Sequence, residues 1–214
     1  MESIYLTRHG RTYINELWGS LNQDQKDHLQ RNPQVGITRD RLAELISDEN
    51  QRRDFVLKNG IQDGDYPIFP FSVSKIGYEQ AEALGMYLEP RKDIQRIVVP
   101  TKGLRRIFRN ERSGERIQDG MGRRLEGYNP DSFTEEFEEH FLYDELFNSI
   151  LRQIAGLSGH LFVLNSGILE RIVNACGGNL EYFDNCGLVI LGTDNGRLTI
   201  VQDYLSNDEI KERL

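Results

Sequence analysis

The sequence predicts an α/β fold, namely a three-layer, doubly wound and mostly parallel sheet with helices on both faces and an antiparallel edge strand. Short apolar runs at 4–7, 96–99 and 160–164 are separated by segments whose apolar residues have helical spacing. Two further apolar runs flank Asp194-Asn195-Gly196, a turn sequence that favours a β-hairpin. Strands that alternate with helices favour parallel pairing, and the hairpin supplies the antiparallel edge.

The individual elements follow from local signals along the chain. Ile4 to Thr7 predicts a short buried strand, and Ser74 to Leu88 predicts a helix that Pro90 stops. Arg96 to Val99 predicts a second strand, which Pro100 ends. The remaining predicted elements are helices at 105–112, 133–155 and 168–176, a strand at 160–164, and hairpin strands at 188–191 and 198–201.

Residues 16–71 interrupt the alternation of strands and helices. They are polar and charged, contain the breakers Asn32-Pro33 and Asn59-Gly60, and carry one helix-like stretch from Thr38 to Leu57. We therefore predict a single domain over residues 1–214 with a helical, cap-like insertion at about 16–71; a loose surface excursion is the alternative. Four aromatic side chains could dock the insertion, namely Trp18, Phe55, Phe69 and Phe71.

Composition and charge exclude several classes of protein. The 214 residues are 38% hydrophobic and 28% charged, which is ordinary for a globular protein, and the net charge of −8 argues against general nucleic-acid binding. No apolar run approaches the roughly 18 residues of a membrane helix. The two cysteines, Cys176 and Cys186, form neither a disulfide framework nor a metal-ligand spacing. We expect a cytoplasmic protein that binds neither nucleic acid nor a membrane.

Polar residues cluster where the three predicted parallel strands end. In such sheets ligands bind outside the carboxyl ends of the strands. Guanidinium groups match phosphate oxygens in pairs, and a neutral imidazole beside them can attack phosphorus. The residues at the three strand ends are Arg8, His9, Gly10, Arg11, Thr12 and Asn15; Thr101, Lys102 and Arg105; and Asn165, Ser166 and Gly167.

The segment from Arg8 to Asn15 resembles the signature of the histidine phosphatase superfamily, which has the phosphoglycerate-mutase-like fold. The signature reads Arg-His-Gly-x-Thr-x-x-Asn, and every fixed position is present. Ser74 to Gly85 is similar to the family's helix that begins Thr/Ser-x-x-Gly, and Asn185-Cys186 before an apolar run is similar to its closing strand. The resemblance covers roughly residues 1–15 and 72–201.

The resemblance implies a two-step phosphatase mechanism through a phosphohistidine on His9. It implies that Arg8 clamps the phosphoryl oxygens and that Thr12 and Asn15 shape the pocket. Arg11 and Ser166 join the expected substrate-binding residues. The family's chemistry needs no metal or cofactor, and the implied partner is a phosphorylated small molecule.

The resemblance also implies a second pocket arginine and a carboxylate proton donor. The arginine falls in the helix after the second strand, where Arg105 is the expected residue and Arg106 the alternative register. Glu126 is the candidate proton donor, between that helix and the third strand.

One departure from the family concerns acid–base chemistry. The family has a second catalytic histidine directly after the third strand, whereas this chain has Asn165 there. Asparagine donates a hydrogen bond but carries no charge, and losing one oxyanion donor outright costs about 3–4 kcal/mol of transition-state stabilisation. Two alternatives to a phosphatase therefore stay open: an inactive relative that binds a phosphorylated ligand or a protein partner, and a different reaction on the same scaffold.

Overall fold

The computed structural model describes residues 3–98, 151, 154–164 and 166–214, and it confirms the α/β class. The predicted helix at 105–112 and most of that at 133–155 lie outside the described residues. The described strands and helices are, in chain order, β1 (Ser3–Arg8), α1 (Tyr13–Leu17), α2 (Gln23–Arg31), α3 (Arg39–Leu45), α4 (Glu49–Asn59), α5 (Lys75–Leu88), β2 (Arg96–Val98), β3 (His160–Leu164), α6 (Ser166–Ala175), β4 (Leu188–Asp194), β5 (Arg197–Leu205) and α7 (Asn207–Glu212).

The strands of the described residues form one five-stranded sheet with the order β2-β3-β1-β4-β5. β1 and β2 both pair with β3 in parallel, while β4 pairs antiparallel with β1 and β5 antiparallel with β4. The prediction placed the antiparallel strand at the edge of the sheet, and the structure corrects that position. The strand that opposes the others is β4, one place in from the edge, because the hairpin adds two strands and β5 returns in the direction of β1.

Side chains of β1 point alternately to the two faces of the sheet, as a strand requires. Ile4 and Leu6 belong to an apolar cluster that includes Leu169 and Ile172 of α6. Tyr5, which lies between them, belongs to a second cluster built on α5 and α7, through residues such as Leu84, Leu88 and Ile210. Helices therefore cover residues of β1 from two sides, which explains why this strand is a continuous apolar run.

Local sequence signals set several element boundaries. The Ser74 hydroxyl accepts a hydrogen bond from the Gly77 N–H and caps α5. Asn195 and Gly196 both have positive φ, at +49° and +77°, which matches the type I′ turn that closes the predicted hairpin. Among the described helices, none is long and apolar enough to cross a bilayer.

The insertion contains more helices than the sequence predicts. The helix-like stretch from Thr38 to Leu57 is two helices, α3 and α4, because Asp48 caps a new helix start. The insertion has an apolar core of its own, in which Leu29 of α2 and Phe55 of α4 are buried. Of the four aromatic residues expected to dock the insertion, Phe55 is buried in this core, while Trp18, Phe69 and Phe71 are 40%, 46% and 41% exposed.

Candidate active site

His9 directly follows β1, at the carboxyl end of two adjacent parallel strands. Its backbone N–H donates to the carbonyl oxygen of Leu164, the last residue of β3, at 3.4 Å. Arg8 and Leu164 are opposite one another in the sheet register. The two strand ends therefore lie side by side, and α6 begins at Ser166, two residues after Leu164.

The half-buried His9 ring makes a hydrogen bond to the backbone of the next residue. Nδ1 lies 2.8 Å from the carbonyl oxygen of Gly10. Because a carbonyl oxygen only accepts, Nδ1 carries the proton in this contact, and the lone pair of the neutral ring is on Nε2. Nε2 is therefore the nitrogen with nucleophilic character.

The backbone around His9 is held by a loop that precedes β4, which we call the 182–187 loop. The buried Asn185 side chain donates through Nδ2 to the carbonyl oxygen of His9 at 2.8 Å. The Cys186 N–H donates to the Arg8 carbonyl oxygen at 3.1 Å, and the Thr7 hydroxyl donates to the Gly187 carbonyl oxygen at 2.6 Å. Three successive residues, from Thr7 to His9, are thus fixed by one loop that lies over 170 positions away.

Arg8 is 9% exposed, and its guanidinium group is turned toward the same loop. Nη1 donates to the carbonyl oxygen of Phe183 at 2.8 Å and to the hydroxyl of Tyr182 at 2.7 Å. Nε is buried without a hydrogen-bond partner among the described residues. An unsatisfied buried donor costs about 1–3 kcal/mol, so this N–H favours an acceptor such as an anionic oxygen.

Two glycines allow the Arg8-His9-Gly10 turn to contact the first turn of α5. A Cβ on Gly10 would lie 2.6 Å from the Gly77 carbonyl oxygen, and a Cβ on Gly77 would overlap backbone atoms of Arg11. Ser74 adds two bonds, because its N–H and its hydroxyl both donate to the Arg11 carbonyl oxygen. The Ser74-x-x-Gly77 pattern therefore has a physical reason: α5 supports the loop that carries His9.

Thr12 and Asn15 form a hydrogen-bonded pair at the start of α1. The Asn15 side-chain oxygen accepts from the Thr12 N–H at 3.0 Å and from the Thr12 hydroxyl at 2.8 Å. The two residues thus shape the turn that follows His9. Their expected part in a ligand pocket remains a prediction.

Arg11 is paired with an acidic side chain of the same segment. Its Nε lies 3.4 Å from Oε1 of Glu16, whose other oxygen lies 3.3 Å from Nζ of Lys58 in α4. The Glu16 side chain is only 5% exposed, so this carboxylate links the motif to the insertion from a buried position. A substrate-binding role for Arg11 stays a prediction, and sequence patterns gave no sign of Glu16 or Lys58.

Several predicted site residues lie outside the described residues, namely Asn165, Arg105 with its alternative Arg106, and Glu126. Ser166 is described and begins α6, a helix of 10 residues whose amino end is at the strand ends. A helix amino terminus with its unpaired N–H groups favours a nearby anion. The roles expected for these residues stay predictions.

The surroundings of His160, Cys176 and Cys186 indicate structural roles for these residues. His160 is at the amino end of β3, where its Nδ1 lies 2.9 Å from the Ser158 carbonyl oxygen. Burial raises the pKa of the Cys176 thiol to about 11 and that of Cys186 to about 12, so both are protonated at neutral pH. Within the part of the chain that the structure describes, no group of three or more His, Cys, Asp and Glu side chains could hold a metal ion.

No protein-family model matches the chain, and no curated protein matches its sequence. In structure, the chain is similar to a crystal structure from Escherichia coli K-12 that is described as "a putative alpha-ribazole-5'-P phosphatase". The TM-score is 0.47 and the sequence identity 12%, over 97% of this chain and 98% of that chain. A similarity at this level does not transfer a function from one protein to the other.

Proposed function

We propose that this protein is a phosphomonoester hydrolase of the histidine phosphatase superfamily, with the doubly wound, phosphoglycerate-mutase-like fold. The observation that carries the proposal is that His9 directly follows Arg8 at the end of β1. The His9 ring is held through Nδ1, which makes Nε2 the nucleophilic nitrogen, and the adjacent Arg8 has a buried Nε–H without a partner among the described residues. An imidazole nucleophile and an unsatisfied cationic donor on successive residues suit a phosphoryl group.

The proposed reaction has two displacements at phosphorus. The Nε2 lone pair forms the N–P bond while the bond to the ester oxygen breaks, and Glu126 gives that oxygen its proton. Water then attacks the phosphohistidine and loses its proton to the same carboxylate, which releases inorganic phosphate and restores the imidazole. The bond from Nδ1 to the Gly10 carbonyl oxygen stabilises the ring as positive charge develops on it.

Charge on the transferring phosphoryl group is balanced by donors at the strand ends. Arg8 provides the guanidinium described above, and Arg105 provides the second one in this proposal. The amino end of α6 contributes backbone N–H groups near Ser166, and Asn165 donates a neutral hydrogen bond in place of the family's second histidine. Such preorganised donors usually provide the largest share of catalysis in this type of reaction.

The substrate in this proposal is a phosphorylated small molecule in the cytoplasm, and the chemistry requires no metal or cofactor. The insertion at about 16–71 serves as a cap within a single domain. Support for this role comes from the Glu16 carboxylate, which joins Arg11 of the motif to Lys58 of α4. Because the cap contacts the motif directly, its shape is expected to select the substrate.

One observation favours a second candidate function, a binding protein without catalysis. Asn165 replaces the second histidine of the family, and an asparagine cannot supply positive charge or a proton to the reaction. A chain of this kind would bind a phosphorylated ligand or a protein partner at an intact Arg8 and His9. A different reaction on the same scaffold is the remaining alternative.

The test is a panel of phosphomonoesters with wild type, His9→Ala, Asn165→His and the control His28→Ala. His28 is an exposed histidine of α2, so its removal is expected to leave turnover unchanged. Turnover by wild type and its loss in His9→Ala, with covalent phosphate trapped on wild type and not on His9→Ala, supports the phosphatase. Inert wild type that gains turnover in Asn165→His supports the binding protein. Turnover that survives in His9→Ala contradicts both proposals.

A further inference from the structure

Tyr182 is an exposed aromatic residue that contacts the proposed phosphate-binding arginine. The residue is 53% exposed, yet its hydroxyl accepts a hydrogen bond from Nη1 of Arg8 at 2.7 Å. The central carbon of Arg8 also lies 5.3 Å from the centroid of the Tyr182 ring. Both the hydroxyl and the ring of Tyr182 thus lie close to the Arg8 guanidinium group.

The contacts of Arg8 divide its guanidinium donors into two sets. The group has five N–H donors in one rigid plane. Nη1 carries two of these N–H donors, and they bond to the Tyr182 hydroxyl and the Phe183 carbonyl oxygen. The opposite edge, formed by Nε and Nη2, has the geometry that binds two oxygens of a phosphate, and its Nε has no partner among the described residues.

The 182–187 loop is itself held firmly enough to position a side chain. The Phe183 N–H donates to the Glu170 carboxylate of α6 at 3.0 Å. Next to it, the Asp184 N–H donates to the hydroxyl of Tyr204 in β5, which in turn donates to the Asp184 carboxylate. Both neighbours of Tyr182 on the carboxyl side are therefore tied to separate elements of the fold.

We propose that Tyr182 is a positioning residue that holds Nη1 of Arg8 and thereby presents the Nε and Nη2 edge to a phosphate group. This inference rests on the proposed function, because it assigns the ligand of that edge. The hydroxyl sets the rotation of the guanidinium plane, because it holds Nη1 at 2.7 Å. Arg8 is then aligned before the ligand arrives, which lowers the entropic penalty of binding.

The first experiment measures binding of inorganic phosphate to the full chain by titration calorimetry. Tyr182→Phe removes the hydroxyl and keeps the ring, and Tyr78→Phe, at a 67% exposed tyrosine of α5, is the matched control. Loss of the hydrogen bond to Arg8 is expected to raise the Kd of Tyr182→Phe roughly threefold to tenfold. The control is expected to bind as wild type does.

A double-mutant cycle shows whether Tyr182 acts through Arg8. In an Arg8→Met background, Tyr182→Phe is expected to change the phosphate Kd no further. Equal effects of Tyr182→Phe with and without Arg8 overturn the inference, because they indicate a general structural role. Nitrogen-15 relaxation of the Arg8 Nε–H adds a readout that needs neither a ligand nor a folded Arg8→Met variant. We expect this group to be ordered in wild type and more mobile in Tyr182→Phe, and equal order overturns the inference.

The outcomes separate this inference from the proposed function. If wild type binds no phosphate, both the positioning role and the proposed function are contradicted, because both require an anion at the Nε and Nη2 edge of Arg8. Wild type that binds phosphate, together with Tyr182→Phe at the same affinity, contradicts the positioning role alone. Weaker binding in Tyr182→Phe that depends on Arg8 supports it.

Discussion

At the scale of single residues, the candidate site is defined by contacts that span most of the chain. Arg8 and His9 are adjacent in sequence, but their side chain and backbone groups bond to the 182–187 loop. Asn185 is the central contact, because it is 4% exposed and donates to the carbonyl oxygen of His9. The position of the proposed nucleophile therefore depends on an amide side chain that performs no chemistry.

Replacing Asn185 by alanine is expected to lower both stability and phosphate binding. The His9 carbonyl oxygen loses its side-chain donor, so the free energy of unfolding is expected to fall by about 1–3 kcal/mol in urea titrations. The phosphate Kd is expected to rise because His9 and Arg8 lose their fixed backbone.

The control is Asn174→Ala, which removes hydrogen bonds to the backbone of Leu180 outside the 182–187 loop. This exposed residue of α6 is expected to affect stability but not phosphate binding. Equal phosphate affinities of Asn185→Ala and wild type would show that His9 keeps its place without this bond.

The motif residues could be predicted from sequence, whereas their supports could not. Arg8 and His9 follow a short apolar strand, and polar residues at such a strand end indicate a site. Tyr182 and Glu16 show no comparable signal, because their contacts depend on tertiary structure rather than on local periodicity. The roles of Asn165, Arg105 and Glu126 remain predictions.

At the scale of elements, the helices and strands that can be predicted from sequence are those with both apolar periodicity and clear end signals. The helix α5 begins after its Ser74 cap, and the strand β3 has the predicted bounds. The helices α2 and α7 have no strong apolar periodicity in sequence, and only capping residues mark their starts, Asn22 and Ser206. Short polar helices of this kind owe their stability to caps and to tertiary contacts, so a periodic pattern does not reveal them.

Two glycines of α5 provide a matched test of how this helix supports the site. Gly77→Ala places a Cβ against backbone atoms of Arg11, so the helix and the motif loop are expected to separate, with lower stability and weaker phosphate binding. Gly85→Ala has open space and is expected to stabilise the chain by about 0.5–1 kcal/mol. Thermal unfolding and calorimetry measure both effects. A Gly77→Ala variant as stable as Gly85→Ala would contradict the close contact between α5 and the motif.

At the scale of the whole molecule, three apolar clusters meet around the motif. Two include residues of β1, and the third joins the insertion to Ile14 of the motif. Helix α1 connects them, because it begins within the motif and its Tyr13 ring packs edge-on against Phe55 of α4, with centroids 6.3 Å apart. The link between Glu16 and Lys58 adds a charged contact between the same two helices.

This arrangement predicts that the insertion and the sheet unfold together. Phe55→Ala is expected to reduce the free energy of unfolding by about 3–5 kcal/mol, because it leaves a cavity in the insertion core. The matched control Leu57→Ala, at a 69% exposed position of the same helix, is expected to change it little. Urea unfolding followed by circular dichroism should show one transition for each variant, with an earlier midpoint and an unchanged slope for Phe55→Ala. If Phe55→Ala instead gives two transitions, with the later one at the wild-type midpoint, the insertion folds independently of the sheet and the single-domain prediction is wrong.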